Sequence, residues 1–153
     1  MADSFATMRG LHILFAVLWA GASLFWGTVV NKLGQKDPAV IRSFTLNAFH
    51  GPFLGLTSLL ALVFGMGAFF SAPDGSYAGT QQTILVIGMV AGSIGVLVGW
   101  GGHLPTMIGM KKALEVGDEA VYAAGLRREH LLDKISLVVV VLAIVTMSTF
   151  RLF

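Results

Sequence analysis

The stretch Gly10–Val30 reads GLHILFAVLWAGASLFWGTVV and decides the fold class, because none of its side chains carries a full charge. Uncharged runs follow at 47–70 and 83–110, and a fourth apolar run at 130–152 has only Asp133 and Lys134 near its start. About 20 apolar residues suffice for a helix to cross a bilayer, and lipid admits only helices or closed barrels. These runs do not alternate as barrel strands do. The sequence therefore predicts one all-α domain over 1–153, an integral membrane four-helix bundle with up-down-up-down topology.

The composition excludes other classes of protein. Hydrophobic residues make up 56% of the chain and charged residues 12%, whereas soluble domains have about 45–50% and about 25%. A soluble enzyme could not cover its surface with so few charged residues, and a disordered chain needs far more charged residues than this one has. The absence of cysteine excludes disulfides, thiolate metal sites and thiol catalysis. The net charge of +2 arises from basic residues that follow membrane topology, so no nucleic-acid partner is expected.

The basic residues predict the orientation. Eight of the ten lie in the first and third connections or just beyond them: Lys32, Lys36, Arg42, Lys111, Lys112, Arg127, Arg128 and Lys134. Cytoplasmic loops carry the excess of Lys and Arg. We therefore expect a multi-pass protein of the cell inner (plasma) membrane, with both termini on the non-cytoplasmic side.

Two histidines are expected at one depth. His50 lies eight residues after Arg42, and His103 lies eight residues before Lys111, so each sits about 12 Å inward from a basic residue. His130 is on the same side but shallower. Facing helices can offer two imidazoles to a haem iron, so His50 with His103 is the first predicted axial pair and His50 with His130 the second. The sequence suggests no carboxylate at this depth, which favours haem over a bare metal ion held by His50, His103 and His130.

Span three carries a stripe of small residues on one helical face, Gly88, Gly92, Gly95 and Gly99, which ends at His103. Such a stripe lets another helix approach closely, and it also leaves room for a flat ring. In the haem hypothesis Gly92, Gly95 and Gly99 lie along the ring, and Arg42, Arg127, Arg128 and Lys134 pair with the propionates.

His12 stands alone near the other membrane surface. Met66, Met89 and Met147 are expected near its depth, where a His/Met haem, a soft copper site or plain apolar packing are the alternatives. A histidine there can also form a hydrogen bond with a quinone carbonyl.

The segment from Gly10 to Gly21, GLHILFAVLWAG, resembles the first-helix pattern of small four-helix membrane proteins. These are the copper-resistance D (CopD-like) membrane domain and the HemJ-type protoporphyrinogen oxidases, which bind haem b. The hydropathy layout is similar over nearly the whole chain, and so is a histidine near the end of span three. The resemblance implies that His12 and His103 correspond to the histidine-bearing positions of this superfamily.

Three hypotheses of function follow. The first is a haem b membrane protein in electron transfer, quinone-linked as an oxidoreductase or as a carrier, with a quinone or a redox protein as partner. The second is a membrane protein that transports or handles copper or another metal. The third is a structural anchor in a homo-oligomer or a larger membrane complex, with the glycine stripe as its packing face.

Overall fold

The computed structural model describes residues 2–47, 50–73 and 79–149, and it describes side chains between 4 and 146 within those ranges. Every regular element in this part of the chain is a helix, which confirms the predicted all-α class. Part of the connection between the second and third predicted spans, residues 74–78, lies outside the described ranges, as does the side chain of Met147.

The first, third and last helical runs begin before the predicted spans, whereas the second long helix lies within its predicted span. The first helical run comprises α1 (Ala2–Leu24), a π-helical segment (Phe25–Val30) and α2 (Asn31–Lys36), and α3 follows at Pro38–Asn47. The second long helix is α4 (His50–Phe70). The third run comprises α5 (Thr80–Leu97), a second π-helical segment (Val98–His103) and α6 (Leu104–Val116), and the last helix is α7 (Glu119–Thr149).

Within the part of the chain that the structure describes, three helical runs are long and apolar enough to cross a membrane: Ser4–Lys36, His50–Phe70 and Thr80–Val116. Their outward surfaces are rich in exposed aliphatic side chains such as Val17, Val90 and Leu97, as contact with lipid requires. The fourth predicted span lies in α7, and its crossing of the membrane stays a prediction, as do the membrane type and the sides on which the termini lie.

A tight turn joins α6 to α7. Gly117 adopts a left-handed conformation with φ of 74°, which ends α6. Asp118 then caps α7, because its Oδ1 accepts a hydrogen bond from the Val121 backbone N–H at 3.0 Å. The helix that begins at this cap runs without a break through Thr149.

The backbone of α4 lies close to the second π-helical segment and to the start of α6. A methyl group added at Gly99 would lie 3.1 Å from the Cα of Gly55, and one added at Gly51 would lie 3.1 Å from the Cα of Leu104. These distances are tighter than most contacts that real side chains make, so glycine favours this crossing. Elsewhere α1 packs on α4, and α7 packs on α5 and α6.

Candidate metal centre

Four buried side chains meet at the level of this crossing. His50 is the first residue of α4, His103 is the last residue of the second π-helical segment, and Glu129 and Asp133 lie one turn apart on α7. Each offers one nitrogen or oxygen atom, and these four atoms lie within 4.8 Å of one another. We call these four residues the His–carboxylate cluster.

His103 is held at both ring nitrogens. Its Nδ1 lies 2.5 Å from Glu129 Oε1, and its Nε2 lies 3.0 Å from the hydroxyl of Ser136, one helical turn beyond Asp133. His103 is fully buried and Glu129 is 2% exposed. Because a serine hydroxyl can donate or accept, Ser136 tolerates either tautomer of the imidazole.

His50 is fixed by stacking. Its ring lies on the indole of Trp26 with the centroids 3.6 Å apart and the planes 12° from parallel. The His50 and His103 rings meet edge to face at 5.6 Å. His50 Nε2 lies 4.0 Å from Glu129 Oε1, and both His50 Nε2 and Glu129 Oε2 are buried without a hydrogen-bond partner. Unsatisfied buried polar atoms are costly, so two of them in one cluster indicate a missing partner.

The cluster carries an excess of negative charge when its carboxyl groups are ionised. Asp133 Oδ2 accepts a hydrogen bond from the Asn31 side-chain amide at 2.9 Å. Within the described residues, neither Glu129 nor Asp133 forms an ion pair with a Lys or Arg side chain. Two ionised carboxylates and two neutral imidazoles sum to −2, the charge that a divalent cation would balance.

The π-helical segments supply one member of the cluster and the indole that stacks on another member. Trp26 lies in the first segment and His103 in the second. A π-helical turn changes the angular register of the residues that follow it, and such turns are frequent at functional sites. The second segment contains Gly99, Gly101 and Gly102. Glycine has a low intrinsic propensity for the α-helix.

The structure brings some of the predicted residues together and separates others. His50 and His103 meet, as their matched depth predicts. His130 does not join them: it lines a polar pocket of about 220 Å³ together with Asn31, Asp133 and Lys134, and its Nε2 is buried without a hydrogen-bond partner.

The predicted propionate partners are spread over the surface. Arg42 pairs with Glu119 at 2.6 Å and lies over the ring of Tyr122, whereas Arg127 and Arg128 are exposed.

The glycine stripe serves two purposes. At Gly95 the indole of Trp19 occupies the space that a side chain would fill, and Gly99 contacts the backbone of α4. Gly88 and Gly92 instead line a large cavity in the half of the bundle that contains His12. The part of the stripe with Gly95 and Gly99 is therefore a packing face, and the part with Gly88 and Gly92 borders the cavity.

The expectation that no carboxylate lies at the depth of His50 and His103 is wrong. The predicted spans place Glu129 in the third connection and Asp133 in the first turn of span four, whereas α7 carries both into the bundle. A signal was present in their spacing: Glu129, Asp133, Ser136 and Val140 follow steps of four, three and four, and all four are buried. This periodicity predicts one inward face for the polar and the apolar members alike.

Comparison of the chain with protein-family models, with curated proteins and with solved structures gives no match. The resemblance to the CopD-like and HemJ-type proteins accordingly stays a prediction.

Proposed function

We propose that this chain is a membrane protein that binds and handles a divalent transition-metal ion at the His–carboxylate cluster. One observation carries the proposal: two residues with an unsatisfied buried atom, His50 at Nε2 and Glu129 at Oε2, belong to a group of four residues that can hold a metal ion. This is the second of the hypotheses from sequence, moved from His12 to the opposite half of the bundle.

The donor set suits such an ion. Imidazole and carboxylate together are common ligands of Zn²⁺ and Fe²⁺. Tetrahedral ligands with bonds of about 2.0–2.2 Å lie about 3.4 Å apart, so donors already within 4.8 Å of one another need only small rotations to converge. The ion would also offset the charge of two carboxylates in a region of low dielectric constant.

The surrounding contacts match those of metal ligands. A histidine that binds a metal usually donates its second ring N–H to a nearby acceptor. His103 can bind through Nδ1 while Nε2 donates to Ser136, and Asp133 can bind through Oδ1 while Oδ2 stays with Asn31. Metal binding would then remove the proton that His103 and Glu129 share.

The haem hypothesis makes a different demand on the same residues. A porphyrin between His50 and His103 would have to part rings that are now in contact and displace either Glu129 or Ser136 from the ring nitrogen of His103 that binds the iron. A single ion requires no such rearrangement, and this difference favours the metal proposal over haem at this position.

The experiment is a metal titration of the protein purified in detergent. Co²⁺ is the probe, because its visible absorption reports nitrogen and oxygen ligation, and competition with Zn²⁺ gives the affinity. We expect one ion per chain and a loss of at least about 100-fold in affinity for His50→Ala and for Glu129→Gln. The matched controls are His130→Ala and Glu115→Gln, which alter the same residue types outside the cluster.

Three results would contradict the proposal. The first is the absence of stoichiometric metal binding, and the second is binding that survives both cluster substitutions. The third is a reducible Soret band that disappears in His103→Ala, which would support the haem hypothesis instead. Assembly defects in Gly99→Leu without any metal or colour would point to the anchor hypothesis.

A further inference from the structure

A cavity of about 840 Å³ lies between α1, α4, α5 and α7, in the half of the bundle remote from the His–carboxylate cluster. Its size falls within the range of pockets for small organic ligands, about 300–1,000 Å³. Most of its wall is apolar, none of the described residues that line it is acidic, and Arg9 is its one charged residue among them. Such a wall suits a neutral, membrane-dissolved molecule better than a cation.

His12 is the polar group that is held most firmly in this wall. Its Nδ1 lies 2.7 Å from the carbonyl oxygen of Ala61 on α4. A carbonyl only accepts, so Nδ1 carries a proton and donates it. In the neutral ring the other nitrogen, Nε2, then keeps its lone pair and can accept a hydrogen bond.

Gly65 provides the space for this ring. A side chain there would place its Cβ 2.8 Å from His12 Nδ1 and 3.0 Å from Cε1, closer than real contacts allow. The imidazole therefore lies directly against the backbone of α4, and Gly65 and Ala61 together set its position. The ring is built into the wall rather than left free at the surface.

The shape of the cavity indicates a flat ligand. The indole of Trp19 borders it, as do Gly88 and Gly92, which have no side chains of their own. An aromatic ring can lie between such surfaces. A phenolic hydroxyl on that ring would donate to His12 Nε2 without bringing a charge into the membrane, which would be costly.

We infer that this cavity binds the head group of a lipid-soluble quinol, with a ring hydroxyl donating to His12 Nε2 and the apolar tail along the remaining wall. The reduced form binds more tightly than the quinone, because quinone carbonyls cannot donate a hydrogen bond to an unprotonated nitrogen. The inference rests on the cavity alone and does not depend on the metal proposal.

The test measures binding of decylubiquinol and decylubiquinone to the purified protein by isothermal titration calorimetry, under anaerobic conditions. We expect saturable binding of the quinol and at least tenfold weaker binding of the quinone. His12→Ala should weaken quinol binding at least tenfold, and Gly65→Ala should also weaken it by displacing the ring. His130→Ala is the matched control and should leave the affinity unchanged.

A second variant keeps the test decisive if His12→Ala does not fold. A methyl group added at Gly88 meets nothing closer than 3.8 Å, so Gly88→Leu should fold and fill part of the cavity, and we expect it to abolish quinol binding. Failure of both ligands to bind would overturn the inference, as would equal quinol affinity in His12→Ala or Gly88→Leu. A Soret band that depends on His12 would show that the cavity takes haem instead, and would overturn it too.

Discussion

Substitution of Gly99 by alanine tests whether the close crossing of α4 and the second π-helical segment holds the bundle together. The added methyl group would lie 3.1 Å from Gly55 Cα and 3.3 Å from Gly55 N, both backbone atoms that no side-chain rotation can move. Ordinary contact begins near 3.4 Å, so the two helices must separate by a few tenths of an ångström. Overpacking of this kind costs about 1–3 kcal/mol.

The control is Gly109→Ala in α6, where an added methyl group meets nothing within 4 Å. Replacing glycine by alanine inside a helix should raise the free energy of unfolding by about 0.5–1 kcal/mol. The difference between the two variants therefore isolates the contact. At about 2–4 °C per kcal/mol for a chain of this size, we expect Gly99→Ala to melt about 2–12 °C below Gly109→Ala.

The assay is thermal unfolding in one detergent, followed by circular dichroism at matched protein concentration. Equal melting temperatures for the two variants would refute the reasoning, since they would show that α4 and the π-helical segment do not constrain each other at Gly99. Displacement of α4 should also move His50 away from His103, so Gly99→Ala should bind Co²⁺ more weakly than Gly109→Ala does.

Three more predictions concern contacts around the bundle. Ser136→Ala removes the partner of His103 Nε2 and should lower the affinity for Co²⁺ about 10–100-fold, measured by the same titration. Arg42→Ala breaks an exposed ion pair with Glu119 and should change the free energy of unfolding by less than about 1 kcal/mol, measured by thermal unfolding. Burial raises the pKa of Tyr122 above its usual value of 10.0, so the folded state holds the phenolic proton more tightly than the unfolded state does. That contribution to stability is present below pH 10 and is lost as the pH rises through the folded-state pKa, and Tyr122→Phe should remove this dependence in alkaline unfolding curves.

Each of these three predictions has an outcome that would contradict it. Ser93 is an exposed serine whose hydroxyl bonds only within its own helix, so Ser93→Ala is the control for Ser136→Ala. Equal Co²⁺ affinity in the two serine variants would rule out a role for Ser136. A destabilisation of several kcal/mol in Arg42→Ala would show that the ion pair is stronger than its exposure implies. An unchanged alkaline unfolding curve in Tyr122→Phe would mean that another group titrates.

Much of the helical framework can be predicted from the sequence, because membrane-spanning runs need only uninterrupted apolar length. The meeting of His50 and His103 was also accessible, since a fixed rise per residue converts distance from Arg42 and Lys111 into depth. Both inferences depend on position along one helix at a time.

The carboxylate half of the site is harder to predict, because it depends on rotation about the helix axis and on contacts between helices. Glu129 and Asp133 lie near Arg127 and Arg128 in sequence, so charge alone assigns them to the interface. Their burial becomes evident only when α7 is known to be one continuous helix whose inward face they share with Ser136. The π-helical segments leave no clear mark in the sequence beyond a few glycines.

The π-helical segment before His103 lets the cluster tolerate a change in chain length. A π-helical turn holds one residue more than the α-helical turn it replaces, and each residue advances an α-helix by about 100°. Deleting Gly101, whose position has open space around it, would remove the extra residue and let the segment close into regular α-helix, so His103 would keep its direction toward Glu129 and Ser136. If the segment closed into regular α-helix without that deletion, His103 would instead turn by about 100° away from both partners. For relatives of this protein, one residue fewer in this segment is therefore compatible with the same metal ligands.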